Sequence, residues 1–129
     1  SNYFDLKRRY AEAVGDRWAI LSAEHAILLP ESRVEPYETT MDDVSSTQWA
    51  DRVQGGLTAV VHTAQLFDGI DAPSGIEIEV LAGRDYVRPL RDRLEELDVG
   101  AVRFPFDSTS GIGDQMGWLS EQIEATASN

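Results

Sequence analysis

The 129-residue chain contains no cysteine, a single lysine and only two histidines. The absence of cysteine excludes disulfides, thiolate catalysis and cysteine-ligated metals. Two histidines are too few for a multi-histidine site, so we predict no metal and no other cofactor. No apolar run approaches the roughly 20 residues that span a bilayer, and the first residues show no secretory signal pattern. We therefore predict a cytoplasmic protein that does not bind membranes.

Basic residues are also scarce, and nearly all of them are arginine: Lys7 is the only lysine, and the other ten are arginines. Against them stand 23 acidic residues, which leave a net charge of −12. This balance is typical of proteins that stay soluble at very high salt. At ~1 M salt the Debye length is about 3 Å, and repulsion between acids costs little. We predict a halophilic protein; the alternative is an ordinary acidic one. Because the bias covers the whole surface, it does not exclude nucleic-acid binding.

Hydrophobic periodicity divides the chain into alternating helices and strands. Helices are predicted at residues 3–14, 46–66, 85–97 and 114–125. Strands are predicted at residues 18–22, 76–82 and 99–104, with a further apolar patch at 26–29. Gly55 and Gly56 lie inside the longest helix, where each costs about 1 kcal/mol relative to alanine, which indicates a kink or a close contact. Residues 125–129 should fray.

This alternation predicts one α/β domain over residues 1–129, with a small, mostly parallel sheet and helices on both faces. The strands that contain Ile20 and Ile78 should be neighbours, because the helix-rich connection between them is long enough for a parallel crossover. In such a sheet the strand ends share one edge, where ligands bind.

Four segments carry a resemblance to a known family. They read ILSAEHAILLP at residues 20–30, VEPYE at 34–38 before Met41, LAGRDY at 81–86 and GIGDQMGWL at 111–119. Together they resemble a family of small uncharacterised domains of bacteria, archaea and phages, over essentially the whole chain. Their layout is distantly similar to the peroxide-stress YaaA family.

The chain departs from this resemblance at two places. The Lys-Tyr-Gly that follows Leu-Ser-Ala in the family is here Glu24, His25 and Ala26. Members of the family also usually begin with a strand that carries a Cys-x-x-Lys segment, whereas this chain starts at the turn that follows it. The resemblance therefore implies that the sheet lacks the family's first strand and exposes an edge on which a partner chain can pair.

The first group of candidate site residues surrounds the end of the first strand. Ser22 beside His25 is a pattern of nucleophilic catalysis. No nucleophile-elbow glycines surround Ser22, however, and the alternatives are a structural serine and a solvent-facing histidine. Glu24 and Glu35 are candidate acid/base groups. Tyr37, which follows Pro36 in a rigid turn, is predicted to stack on a base or sugar; the alternative is packing on the core.

The second group lies at the beginnings of the last two helices. Arg84 can pair with a phosphate or, alternatively, with a neighbouring acid such as Asp85. Tyr86 is expected to line the same pocket, and Gly83 precedes both. Backbone N–H groups after Gly111 and Gly113 suit an anion, although Asp114 can instead cap the helix. The prediction is one shared concavity, lined by Ser22, Glu35, Tyr37, Gly83, Arg84, Gly113 and Gln115, in which Gln115 reads a base edge.

These residues lead to three hypotheses. The first is a nucleotide- or nucleic-acid-associated α/β domain; as an enzyme it would act on a base or nucleoside, with Glu24 or Glu35 as the acid/base. The second is a non-enzymatic interaction domain completed by a strand from a partner chain. The third is a serine hydrolase built on Ser22 and His25.

Overall fold

The computed structural model describes residues 2–127, and it contains helices and strands in alternation. The helices are α1 (Asn2–Val14), α2 (Ser46–Phe67), α3 (Arg84–Glu95) and α4 (Ile112–Ala127). The strands are β1 (Ile20–Ser22), β2 (Ala26–Leu28), β3 (Glu77–Glu79) and β4 (Ala101–Arg103). The protein is thus mixed α/β, and all four predicted helices are present. Residues 125–127 continue α4, and residues 128–129 of the segment expected to fray lie outside the described part of the chain.

Two features of the sequence position the longest helix, α2. Ser45 is its N-cap, and the Ser45 side chain accepts a hydrogen bond from the Gln48 N–H at 3.3 Å. At Gly56 the helix lies against β2, since a Cβ built there would be 3.0 Å from Ile27 Cγ1. Gly55 has open space around it. The close contact predicted for this glycine pair is confirmed, and it belongs to Gly56.

The strands form two small sheets. β1 and β2 are an antiparallel hairpin in which Ser22 is opposite Ala26. β3 and β4 are parallel, with Ile78 opposite Val102. The prediction that the strands of Ile20 and Ile78 are neighbours is therefore wrong, and a single mostly parallel sheet is not formed. The physical reason is local: a three-residue turn brings β2 onto β1, which costs less chain entropy than a long crossover.

The chain folds into two compact units. One comprises residues 19–104 and therefore all four strands with α2 and α3. Its core is made by α2 and α3, where the side chains of Trp49, Val53, Leu90 and Leu94 are fully buried. The other unit, in its described part, comprises residues 2–18 and 105–127. In it α1 and α4 pack together, with the rings of Tyr10 and Trp118 5.2 Å apart.

Candidate functional site

The hydroxyl of Ser22 lies at the centre of a group of polar and aromatic side chains at the end of β1. Ser22 is only 2% exposed. Its Oγ accepts the backbone N–H of His25 at 3.1 Å and donates to the Tyr37 hydroxyl at 2.7 Å. Its carbonyl oxygen accepts the indole N–H of Trp49 at 2.9 Å. Ser22 therefore ties the hairpin turn, the loop after β2 and the first turns of α2 to one point.

Tyr37 presents an aromatic surface to solvent beside this serine. Its side chain comes from the loop after β2 and is 40% exposed, so it does not pack into the core. The His25 ring meets it edge-on, with ring centroids 5.3 Å apart at 81°. The phenol is thus held at its hydroxyl by a buried partner and at its ring by His25, in a residue that is 40% exposed as a whole.

Tyr86, on the first turn of α3, belongs to the same neighbourhood. Its ring packs edge-on against Trp49 at a centroid distance of 5.7 Å. Burial raises the pKa of the Tyr86 phenol, and the charges that Tyr37 and Asp85 can carry act in the same direction. We call Ser22, His25, Tyr37, Trp49 and Tyr86 the tyrosine cluster. Four of its five members were predicted as site residues, and the structure brings them together within one unit.

The predicted acidic and basic residues around the cluster are exposed. Glu24, in the hairpin turn, accepts a hydrogen bond from the Thr39 hydroxyl, and its carbonyl oxygen accepts one from Arg52 Nη1 at 3.2 Å. The side chains of Glu35 and Arg84 make no hydrogen bond or ion pair with any residue from 2 to 127. Arg84 therefore does not form the surface pair that was its alternative role. Gly83 is the N-cap of α3 and contributes no side-chain cap.

The three remaining predicted residues lie in the other unit, at the start of α4. The Tyr3 hydroxyl donates to Gln115 Oε1, so this amide oxygen already has a partner. Asp114 Oδ2 accepts the backbone N–H of Ser110, just before α4, at 3.0 Å. Gly111 and Gly113 are exposed on either side of the helix start. That these residues share a concavity with the tyrosine cluster stays a prediction.

Lys7, the only lysine, lies close to this second group. Its ammonium is 4.4 Å from the centre of the Tyr3 ring, a cation–π contact. Burial lowers the pKa of Lys7 and raises the pKa of Tyr3. Both groups are thus packed side chains of the α1–α4 unit.

Comparison with known proteins assigns the chain to a family. Residues 1–121 match DUF6884, a family of unknown function. The chain belongs to this family. No curated protein and no solved structure matches it. The resemblance to an uncharacterised family is thereby confirmed, and the function of this DUF6884 protein has to be argued from its own side chains.

The sequence did not reveal Trp49 as part of the candidate site, because its spacing with Val53 and Leu57 is that of a core-facing helix residue. The missed signal was chemical: a buried indole needs an acceptor for its N–H, and here the acceptor is the Ser22 carbonyl. The roles of Thr39 and Arg52, which bind the turn at Glu24, were also missed. Arg52 is exposed and Thr39 is half-buried, and the contacts of both depend on the course of the loop.

Within residues 2–127 no group of three or more histidine and acidic side chains is placed to hold a metal ion. Over the same residues, no helix has both the length and the apolar character needed to cross a bilayer.

Proposed function

We propose that this DUF6884 protein binds a nucleobase or nucleotide at the tyrosine cluster. The observation that carries the proposal is the Tyr37 side chain, anchored through its hydroxyl to the buried Ser22 and still 40% exposed. Bases stack on aromatic side chains in sequence-tolerant recognition of single strands. While the bond to Ser22 is made, the Tyr37 ring is held in position and loses less conformational entropy when it is covered.

Arg84 is the proposed partner of a phosphate. Its guanidinium is exposed, has no partner among residues 2–127, and lies two positions before Tyr86 on the first turn of α3. The N-terminal end of a helix favours anions, and a guanidinium can bind phosphate oxygens in a bidentate manner. In a chain with a net charge of −12, an unpaired arginine beside an aromatic cluster supports recognition of an anionic ligand.

Two further properties belong to the same proposal. The layout of the four motifs supports a distant similarity to the YaaA family and an occurrence of the family in bacteria, archaea and phages. The net charge of −12 supports a halophilic protein, and a cytoplasmic location is proposed with it. If it catalyses a reaction at the base or nucleoside, Glu24 or Glu35 is the proposed acid/base, and Glu24 is in the turn between Ser22 and His25.

The two other hypotheses differ in their support. The interaction-domain hypothesis is favoured by sheets of only two strands each, against the roughly four to six of typical sheets. The serine-hydrolase hypothesis gains no support from the contacts. Ser22 Oγ is bonded to the Tyr37 hydroxyl and to the backbone N–H of His25, rather than to the His25 imidazole.

Calorimetric titration with the four nucleoside 5′-monophosphates and with a single-stranded RNA tests the proposal, at ~0.1 M and ~2 M potassium chloride. Tyr37→Ala should weaken binding about tenfold or more, because a base–aromatic stack contributes ~1–3 kcal/mol. Arg84→Ala should weaken binding of a monophosphate by at least about fivefold and leave the nucleoside unaffected. Arg88→Ala, an exposed arginine one turn further along α3, is the matched control and should change nothing.

The outcomes separate the hypotheses. Absence of binding by the wild type to every nucleotide and RNA, at both salt concentrations, would overturn the proposal in favour of the interaction domain. Binding that survives both Tyr37→Ala and Arg84→Ala would mean that the ligand occupies another site. The variant Gln115→Ala tests the prediction of a shared concavity, which fails if nucleotide affinity is unchanged.

A further inference from the structure

The segment that carries Tyr37, residues 29–40, is attached to the rest of its unit by very few bonds. All of its residues except Thr39 are exposed, including the apolar Leu29 and Val34. It takes part in two backbone–backbone hydrogen bonds, and both are local. The Ser32 N–H donates to the Leu29 carbonyl at 3.0 Å, and at the C-terminal end of the segment the Asp43 N–H donates to the Thr40 carbonyl at 3.0 Å. Pro30 and Pro36 have no N–H to donate. We call residues 29–40 the strap.

Two side-chain hydrogen bonds hold the strap to the hairpin turn. The Tyr37 hydroxyl accepts from Ser22 Oγ at 2.7 Å, and the Thr39 hydroxyl donates to the Glu24 carboxylate. Residues 30–36 make no hydrogen bond or ion pair outside the strap. The attachment is therefore concentrated near Tyr37, whose ring also meets the His25 edge.

We propose that the strap opens and closes over the end of β1, with the hydrogen bond between Ser22 and Tyr37 as its latch. Opening exchanges the neutral hydrogen bond between Ser22 and Tyr37 for bonds of both hydroxyls to water, since it uncovers the end of β1, and Ser22 Oγ still accepts the N–H of His25. In the open state the Ser22 hydroxyl has lost the phenol that it donates to. Regulation of the site by the strap rests on the proposed function, since a base that stacks on Tyr37 would favour the closed state.

Limited trypsin digestion of the intact protein measures this opening directly. Arg33 is the only basic residue in the strap, so the Arg33–Val34 bond reports strap opening. The Arg17–Trp18 bond lies in another non-helical stretch and, with Arg17 exposed, serves as an internal reference. Tyr37→Phe removes only the latch hydroxyl and should accelerate cleavage at Arg33 about fivefold, with cleavage at Arg17 unchanged. Tyr3→Phe, which removes the tyrosine hydroxyl bonded to Gln115, is the matched control and should leave Arg33 cleavage as in the wild type.

The proposal that the strap opens is wrong if Tyr37→Phe leaves the rate of cleavage at Arg33 unchanged. It is also wrong if cleavage at Arg33 and at Arg17 accelerates equally, because that would indicate loosening of the whole protein. If Tyr37→Phe does not fold, Thr39→Val takes its place and should accelerate cleavage at Arg33 in the same selective way. Addition of saturating adenosine 5′-monophosphate to the wild type should slow cleavage at Arg33. If Tyr37→Phe accelerates cleavage at Arg33 but the protein binds no nucleotide, the strap proposal holds and the proposed function is wrong. If nucleotide binds but does not change cleavage at Arg33, nucleotide binding is not coupled to strap opening.

Discussion

Ala26 is the residue at which the hairpin is strained. Its φ is 63°, in the left-handed region that costs a residue with a Cβ about 1–2 kcal/mol. It is also 2% exposed, and the Ile27 N–H bonds back across it to the His25 carbonyl at 2.8 Å. The resemblance places glycine here in the family. The departure at Ala26 therefore falls on the position where the backbone most favours glycine.

Comparing Ala26→Gly with Ala23→Gly isolates this strain. Both alanines are 2% exposed in the same hairpin, but only Ala26 has a positive φ. Each change removes a buried methyl group worth ~0.8 kcal/mol and adds chain entropy worth ~0.5–1 kcal/mol to the unfolded state. Ala23→Gly should therefore destabilise by ~1–2 kcal/mol, and Ala26→Gly should be nearly neutral. Urea unfolding measures both, and equal losses would mean that Ala26 is not strained.

Four of the predicted site residues lie together, but not for the reason that was expected. Ser22, His25, Tyr37 and Tyr86 were selected because parallel strand ends converge, yet β1 and β3 are in separate sheets. They meet because the turn at His25 and the strap both return to Ser22, and because Trp49 links Ser22 to Tyr86. Turn and loop residues carry no periodic pattern, so their contacts could not be predicted from the sequence.

Among the elements, the helices were predictable and the strand pairing was not. A helix such as α2 repeats its apolar stripe over six turns, whereas β1 and β3 have three residues each. A period of two over three residues identifies the buried face, but it says nothing about which strand lies alongside. The apolar patch at residues 26–29 proved to be the partner of β1, as β2.

The two adjacent glycines of α2 should respond oppositely to alanine. Gly55→Ala adds a methyl group in open space and should stabilise by about 1 kcal/mol, the helix-propensity difference. Gly56→Ala gains the same propensity, but its Cβ would lie 3.0 Å from Ile27 Cγ1 and 3.3 Å from Ile27 Cβ. Most or all of that gain should be lost to the displacement of β2. Denaturant unfolding of both variants gives the difference.

A double-mutant cycle locates the cause of that difference. In an Ile27→Ala background the crowding atom Cγ1 is absent, so the penalty of Gly56→Ala should shrink while Gly55→Ala keeps its effect. Additive effects of Gly56→Ala and Ile27→Ala would show that contact with β2 does not explain the glycine.

At the scale of the whole molecule, charge is the dominant feature. Arg8, Arg93 and Arg103 form surface ion pairs with Glu12, Asp51 and Glu77, and exposed pairs of this kind are worth about 0–1 kcal/mol. Eleven basic residues cannot neutralise 23 acids in any arrangement. Folding therefore brings like charges together, and the cost of doing so depends on the ionic strength of the solvent.

Stability should consequently rise with salt. Between ~0.1 M and ~2 M potassium chloride, screening removes acidic repulsion, and the midpoint of thermal unfolding should increase by several degrees. The control is an acid-depleted variant in which Glu31, Glu38, Glu95, Glu96 and Glu121, all exposed, become glutamine, which changes the net charge from −12 to −7. This variant should be more stable than the wild type at low salt and should gain less from added salt. An unchanged wild-type midpoint would contradict the prediction of a halophilic protein. An equal rise of the midpoint in both proteins would show that salting-out, rather than screening of the acids, causes the rise.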